Sequence, residues 1–324
     1  MCTCLTLNDQ KFYFGRNLDL EYNFGQKVVI TPRNYAITYK QQATMHTHYA
    51  MIGMASVYEN YPLYAEAVNE KGLGMAGLNF PGNAVYKQAD PSKDNITPYE
   101  FIPWILGQCS TVAQARALVE KINLLAIPFL PQLPLAPLHW MIADKDQAII
   151  VEAMADGLHI YDNPYGVLTN NPPFNYYLMH MHNYLNVQPS NPENNFGKDL
   201  PLAPYGQGFG GIGLPGDFSP ASRFVKAAYL RANSYPSNNE DEQIAQFFHI
   251  LDGVAMVKGS VITPEGKPDI TIYSCCIDAE QGIYYYKTYE NSQINAIAMH
   301  RVDLESNNLY CYELKLTASY NYQN

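Results

Sequence analysis

Met1-Cys2-Thr3-Cys4, followed after a turn at Asn8-Asp9 by Lys11-Phe12-Tyr13-Phe14-Gly15-Arg16-Asn17-Leu18-Asp19, is the stretch that decides the fold. Two short runs either side of a turn read as an antiparallel hairpin, which returns Arg16 and Asp19 toward the chain start. Cysteine behind the initiator is small enough for Met1 to be trimmed away, leaving a thiol and a free α-amine on one residue. The amine has a reference pKa of about 8 and the thiol about 8.5, so near neutral pH the amine accepts the thiol proton as attack on a carbonyl begins. Asp19 is expected to hold that amine, and Arg16 to favour the thiolate, because nearby opposite charge stabilises the ionised form. The plainer alternatives are a strand cysteine without chemical role and a surface Arg/Asp pair worth about 0–1 kcal/mol.

The whole chain sets the limits within which such a site works. Its 324 residues, 47% hydrophobic and 15% charged, can bury a large core as one big domain or two small ones. No linker or repeat divides it, so one domain spanning 1–324 is expected. A net charge of −10 argues against nucleic acid as a partner and says little about a small anionic substrate. There is no basic region followed by an apolar run and nothing near 18 consecutive apolar residues, so neither signal peptide nor membrane span is expected, and the cytoplasm is the expected site. Six cysteines, Cys2, Cys4, Cys109, Cys275, Cys276 and Cys311, do not read as a disulfide framework in a chain this long. A reducing compartment suits a nucleophilic thiol.

In chain order, Gln26 to Thr31, Ala50 to Val57 and Tyr64 to Asn69 read as strands. The strand after Gly72 and Gly74 stops at Pro81, which removes a donor and leaves Asn79 at its mouth. Thr97-Pro98-Tyr99-Glu100 reads as a capping box opening a helix through Leu106 to Gly107, and Thr111 opens a second helix through Lys121, the two covering one face of a sheet. Asn95-Ile96-Thr97 matches a glycosylation acceptor, but its threonine already serves as the cap. Residues 127–137 hold four prolines among apolar residues, and an exposed apolar loop usually has something to bind. Strands resume at Leu138 to Ala143, Ala148 to Glu152 and Leu158 to Tyr161. Leu168-Thr169-Asn170-Asn171-Pro172 repeats the pattern of Asn79, a strand ended by proline with an amide at its tip.

Residues 184–216 read as a long exposed excursion. Its Gly206-Gln207-Gly208-Phe209-Gly210-Gly211 is a literal G-x-G-x-x-G, yet prolines stand where the strand and helix should be, so it is no dinucleotide site; its glycines are expected to let backbone lie near the active site. Ser219-Pro220 caps a helix through about Ala232 with Arg223 in its first turn, the wrong sign for the helix dipole and therefore a hint of function. Asp241 to Leu251 reads as helical, Ile270 to Cys276 and Gly282 to Tyr289 as a hairpin, Asn308 to Leu316 as a last edge strand. His180 and His182 are spaced for one strand face, and Cys2 and Cys4 alternate likewise, but no further ligands join either pair. Neither metal nor cofactor is expected.

These segments together carry a resemblance. Met1-Cys2-Thr3 with Phe14 to Asp19, Gly77-Leu78-Asn79-Phe80-Pro81, Leu168 to Pro172, and Leu214-Pro215-Gly216-Asp217 with Ser222-Arg223-Phe224 resemble, in order, the choloylglycine hydrolases. The nearest branch is the bile salt hydrolases of Gram-positive gut bacteria, with penicillin V acylases as sister enzymes. The resemblance implies an N-terminal nucleophile hydrolase of α+β class, a four-layer αββα sandwich of two mainly antiparallel sheets flanked by helices. The residue pattern itself, strand-rich halves interleaved with capped helices, points to two packed sheets with helices outside.

The resemblance further implies hydrolysis of the amide joining a bile acid to glycine or taurine, in a homotetramer. It assigns Cys2 as nucleophile, Asp19 to the amine, and Arg16 and Arg223 to the charge around the thiolate. The backbone N–H of Asn79 and the side chain of Asn170 become the oxyanion donors, with Asn171 the runner-up; a preorganised donor of this kind is worth about 3–4 kcal/mol. Leu18, Tyr22, Phe24, Phe129 and Leu133, with the Asn79 side chain, are the expected substrate contacts. Penicillin V or N-acyl homoserine lactone acylase activity, or a non-catalytic binding protein for steroid or acyl ligands, are the rivals.

Overall fold

The computed structural model describes Met1–Asn324. The opening hairpin is β1 (Cys2–Asn8) and β2 (Phe12–Leu20), with Cys2 opposite Leu18 and Cys4 opposite Arg16. A meander follows: β3 (Gln26–Thr31), β4 (Met51–Tyr58), β5 (Tyr61–Asn69) and β6 (Gly74–Asn79). Next come β7 (Asp94–Ile96), α1 (Phe101–Gln108), α2 (Val112–Val119) and β8 (Ile122–Leu124). The middle holds β9 (Leu138–Ala143), β10 (Ala148–Met154), β11 (Gly157–Asp162), β12 (Val167–Leu168) and α3 (Phe174–His180). The last third holds α4 (Pro220–Ala232), α5 (Glu240–Asp252), β13 (Ile270–Asp278), β14 (Ile283–Thr288), β15 (Asn295–Ala298) and β16 (Tyr310–Tyr312).

The strands make two large antiparallel sheets, ordered β12-β1-β2-β13-β14-β15 and β11-β10-β9-β6-β5-β4-β3-β16, beside a small parallel pair β7-β8. Successive residues of the larger sheet point to opposite faces. Val28, Ile30, Ile52, Val68, Ala76 and Met141 pack toward the smaller sheet. Their neighbours Val29, Met51, Ala67, Met75 and Ile142 pack with Phe101, Ile105 and Val112 of α1 and α2. The smaller sheet is covered on its far side by α4 and α5, through Phe224, Ala227, Ile244 and Phe247. Helix, sheet, sheet, helix is the four-layer αββα arrangement expected. Because β1 and β2 lie between two covered layers they are buried at nearly every position, on both faces.

Gly15 marks the closest approach within the smaller sheet: a Cβ there would lie 2.1 Å from the Cys275 carbonyl oxygen on β13. Helix α4 starts as expected. Ser219 Oγ accepts from the Ser222 N–H, Pro220 occupies the first turn, and the Asp217 carboxylate accepts from Ser219 N–H and Ser222 Oγ.

Several expectations are corrected. His180 and His182 do not share a strand face; they sit at the end of α3 and in the following turn. Pro172-Pro173 opens that helix, and Glu152 on distant β10 accepts the N–H of Phe174 at 3.0 Å, a cap with no local sequence signal. The helix expected from Pro98 begins as a 3-10 turn at Pro98–Glu100 and continues past Gly107 to Gln108. The final strand shrinks to Tyr310–Tyr312 at a sheet edge, and β15 and the β7-β8 pair went unread. Within the glycines of 206–211, Gly206 and Gly208 face open space, and the contact of Gly210 is with its own excursion, at the carbonyls of Gln188 and Ser190. They close the excursion on itself.

Candidate active site

Sheet register brings the expected residues to one end of the sandwich. Cys2 starts β1, Leu18 and Asp19 lie near the end of β2, Asn79 ends β6, and Asn170 follows β12, which pairs with β1. The Cys2 backbone N–H donates to Asn170 Oδ1 at 2.9 Å. Arg223, buried in α4, donates from Nη2 to the same oxygen at 2.9 Å, from Nη1 to the Cys2 carbonyl and to Thr3 Oγ1, and from Nε to Phe218 O. Asn170 Nδ2 donates to the Asn79 carbonyl at 2.7 Å. The amide can face only this way, because its oxygen meets two N–H donors and its nitrogen meets a carbonyl. One Nδ2–H is left over.

Arg16 lies in the layer between the sheets, wholly buried. Its Nη1 donates to Gly77 O at 2.6 Å and Ala65 O at 3.2 Å, and lies 3.7 Å from Glu66 Oε2. Burial works against its charge, but the neighbouring Cys2, Tyr273 and Glu66 outweigh it and hold the guanidinium above its ordinary value. Glu66 accepts from the Tyr273 and Tyr284 hydroxyls at 2.7 Å each. Burial pushes its carboxyl up, against the pull of Arg16 and these donors. Cys4, on the same strand as Cys2 and fully buried, is a different thiol: burial raises it far out of the reactive range.

Asp19 is also fully buried. Its Oδ1 accepts from Thr271 Oγ1 at 2.6 Å, while its Oδ2 has no partner. Burial raises its carboxyl, with Arg223 and the chain's terminal ammonium pulling the other way. Met1 nitrogen donates to the Asp19 backbone carbonyl at 2.7 Å and to Asp269 Oδ2 at 3.1 Å, and Asp269 Oδ1 is likewise unpartnered. An unpaired buried carboxylate oxygen costs free energy unless a donor arrives. The acceptors beside the chain start therefore describe a receptacle for an ammonium.

Thr271, Asp269, Glu66, Glu152 and His139 were not read from the sequence. Thr271 faces Asp19 only through the β13-β2 pairing, which shifts register between Thr271 and Tyr273. Such bulges re-aim side chains. No local pattern announces them.

The expected substrate contacts are less tightly gathered. Leu18 is buried opposite Cys2, Phe24 is half-buried against the core, and Tyr22 is 56% exposed in the loop after β2. Phe129 packs edge-on against Tyr58 and Tyr99 and tilted on Tyr61, at 5.9, 5.1 and 5.6 Å between ring centroids. Leu133 is 41% exposed. The Asn79 side chain is exposed between the fully buried Leu78 and Phe80. These loops and the β4-β5 tip lie at the sheet end that carries Asn79. A cavity of 800 Å³ lies elsewhere, around Thr6, Asn8 and Arg231 at the far end of β1. No helix is long and apolar enough to cross a membrane, and no three His, Cys, Asp or Glu side chains converge.

The model of the linear amide C–N hydrolases, choloylglycine hydrolase family, matches residues 2–312. The chain belongs to this family. A bile salt hydrolase/transferase of Lactiplantibacillus plantarum is 48% identical over 320 residues, 99% of each chain. The crystal structure of the C2A mutant of the conjugated bile acid hydrolase from Clostridium perfringens superposes with a TM-score of 0.92 at 42% identity, covering 100% of both chains. A penicillin V acylase from Agrobacterium tumefaciens shares the fold, with a TM-score of 0.76 at 20% identity over 95% of this chain and 90% of its own.

Proposed function

We propose that this chain, with Met1 removed, hydrolyses the amide bond of glycine- and taurine-conjugated bile acids. The observation that carries the reading is the convergence of Cys2, Asn170, Arg223 and Asp19 at one sheet end in a chain 48% identical, over its full length, to a bile salt hydrolase/transferase. The Cys2 thiolate attacks the amide carbon, forming a C–S bond, and the carbonyl oxygen becomes an oxyanion. The Asn79 backbone N–H and the spare Asn170 Nδ2–H stabilise it, with the largest effect in the transition state. The Cys2 ammonium passes a proton to the departing nitrogen as the C–N bond breaks. Water, deprotonated by the same amine, then attacks the thioester and releases the bile acid.

Asp19 Oδ2, buried without a donor, receives the Cys2 ammonium. Arg16 and Arg223 supply positive charge to the thiolate and oxyanion. Leu18, Tyr22, Phe24, Phe129, Leu133 and the Asn79 side chain contact the steroid. A site of this kind needs neither metal nor cofactor. The reduced state of all six cysteines fits work in the cytoplasm. Phe196, Tyr205, Leu185 and Ile212, each more than 70% exposed on the 184–216 excursion, suit burial between copies in a homotetramer, which sedimentation would weigh.

Amine release from glycine- and taurine-conjugated bile salts, beside penicillin V, tests the substrate class, with Cys2→Ala as control. Release from the bile salts that is lost in Cys2→Ala supports the proposal. Turnover of penicillin V alone, or turnover that survives Cys2→Ala, refutes it.

A further inference from the structure

Behind the two proposed oxyanion donors lies a buried pair that the mechanism above does not use. His139 on β9 and Glu152 on β10 are wholly inaccessible to solvent. His139 Nδ1 lies 3.0 Å from Glu152 Oε1, and Nε2 lies 2.9 Å from the carbonyl oxygen of Thr169. Both ring nitrogens therefore face oxygen atoms, so the ring is fixed at both ends. Glu152 in turn accepts the Phe174 N–H, at 3.0 and 3.2 Å to its two oxygens, tying the pair to the start of α3.

Two contacts of the imidazole, to Thr169 and to Phe80, each end one residue from a donor. Thr169 immediately precedes Asn170, and its own hydroxyl is fixed to Pro220 O at 2.9 Å and Tyr177 Oη at 3.2 Å. Phe80 immediately follows Asn79 and lies flat on the His139 ring, with centroids 4.3 Å apart and planes within 5°. Its N–H is bound to Pro137 O at 2.7 Å. The two donor residues come from different sheets, one on β6 and one after β12, and the Asn170 Nδ2–Asn79 O bond of 2.7 Å ties them directly; His139 backs both sides of that tie.

We infer that His139, held by Glu152, is a positioning residue that braces the spacing of the oxyanion donors, chiefly through its hydrogen bond to Thr169, with its stack on Phe80 as the lesser contact. The inference rests on the reading of Asn79 N–H and Asn170 Nδ2–H as those donors. Its consequence is kinetic. An oxyanion forms only along the reaction coordinate, so loosening its donors lowers kcat and leaves substrate binding nearly alone.

Glutamine at this position can still donate to Thr169 in place of Nε2, whereas asparagine reaches only Glu152 in place of Nδ1. The test compares His139→Gln, His139→Asn and Glu152→Gln, with Asn170→Ala as reference, in a Cys311→Ser background. Rates are expressed per Cys2 thiol titrated with iodoacetamide, so that misfolded protein is not counted. His139→Asn is expected to lower kcat about 10–100-fold, the scale of a misplaced catalytic group, with KM and the Cys2 alkylation rate changed less than about threefold. His139→Gln should stay within about fivefold of the parent. Equal losses in both variants, or a parent-like kcat in His139→Asn while Asn170→Ala is impaired, overturn the inference. A parent-like kcat in Asn170→Ala removes the oxyanion reading, and the clamp with it. If His139→Asn yields no folded protein, Glu152→Gln decides: reduced kcat at unchanged KM supports the clamp, and unchanged kcat overturns it.

Discussion

Replacing Asn170 by alanine separates chemistry from stability, because the side chain serves two networks at once. Its spare Nδ2–H is a proposed oxyanion donor, and removal of one such donor costs about 10²–10³ in kcat, or about 2.7–4 kcal/mol. Its Oδ1 accepts from Arg223 Nη2 and from the Cys2 nitrogen, both at 2.9 Å and both buried. A hydrogen bond to a charged group is worth about 1.5–3 kcal/mol. Arg223 keeps Phe218 O, Cys2 O and Thr3 Oγ1, so its charge is not stranded, and the lower figure applies. Asn170→Ala should therefore lose about 1.5 kcal/mol of stability in urea, read as a lower midpoint at unchanged slope. Its kcat on a glycine-conjugated bile salt should fall by about 10²–10³, with KM within about threefold. The assay is amino acid release per titrated Cys2 thiol. A kcat loss below tenfold, or a loss carried wholly by KM, would refute the assignment of Asn170 as a transition-state donor.

Three further outcomes follow from buried and capping groups. Glu66→Gln leaves Arg16 without the only carboxylate beside it; breaking a buried ion pair costs about 3–5 kcal/mol. The hydroxyls of Tyr273 and Tyr284 soften this toward the lower figure, and a urea-derived loss under 1 kcal/mol would contradict the pairing. Gly15→Ala drives a Cβ into the β13 backbone, and overpacking at about 3 kcal/mol should lower Tm by about 4 °C; a parent-like Tm would show that the strands do not approach as described. Hydrogen bonds from Ser219 and Ser222 lower the Asp217 carboxyl to about 2. A folded value below the unfolded one stabilises above about pH 4 and is lost as pH falls through 2. Asp217→Asn should thus be less stable than the parent at pH 7, with most of that deficit gone at pH 2, and an equal deficit at both would discount the cap.

The hairpin was legible because β1 and β2 are adjacent in the chain and Asn8-Asp9 announces their turn, so the approach of Cys2 to Leu18 and Asp19 follows from local register. Asn79 was legible for a similar reason, because Pro81 closes its strand; Pro172 marked the tip that holds Asn170 and Asn171, and only the family resemblance chose between them. Helix α4 could be read from Ser219-Pro220 alone. What stayed hidden is held by pairing between distant segments. Thr271 meets Asp19 across the β13-β2 ladder with a bulge in it, Asp269 meets the chain start 268 residues away, and Glu152 caps α3 from another strand. Histidines 180 and 182 misled because a two-residue spacing fits a strand face as well as an irregular helix end, and only tertiary capping decided between them. Glu66 sat in a run that reads simply as strand, with nothing to say that the layer above it holds Arg16.

The central claim is a covalent bond between bile acid and Cys2. Enzyme quenched in acid during turnover of a glycine-conjugated bile salt, then digested and weighed, tests it directly. The account predicts an N-terminal peptide that begins at Cys2, without Met1, and carries the bile acyl group as a thioester. Turnover with Met1 still attached, or with the acyl group on another residue, would contradict it.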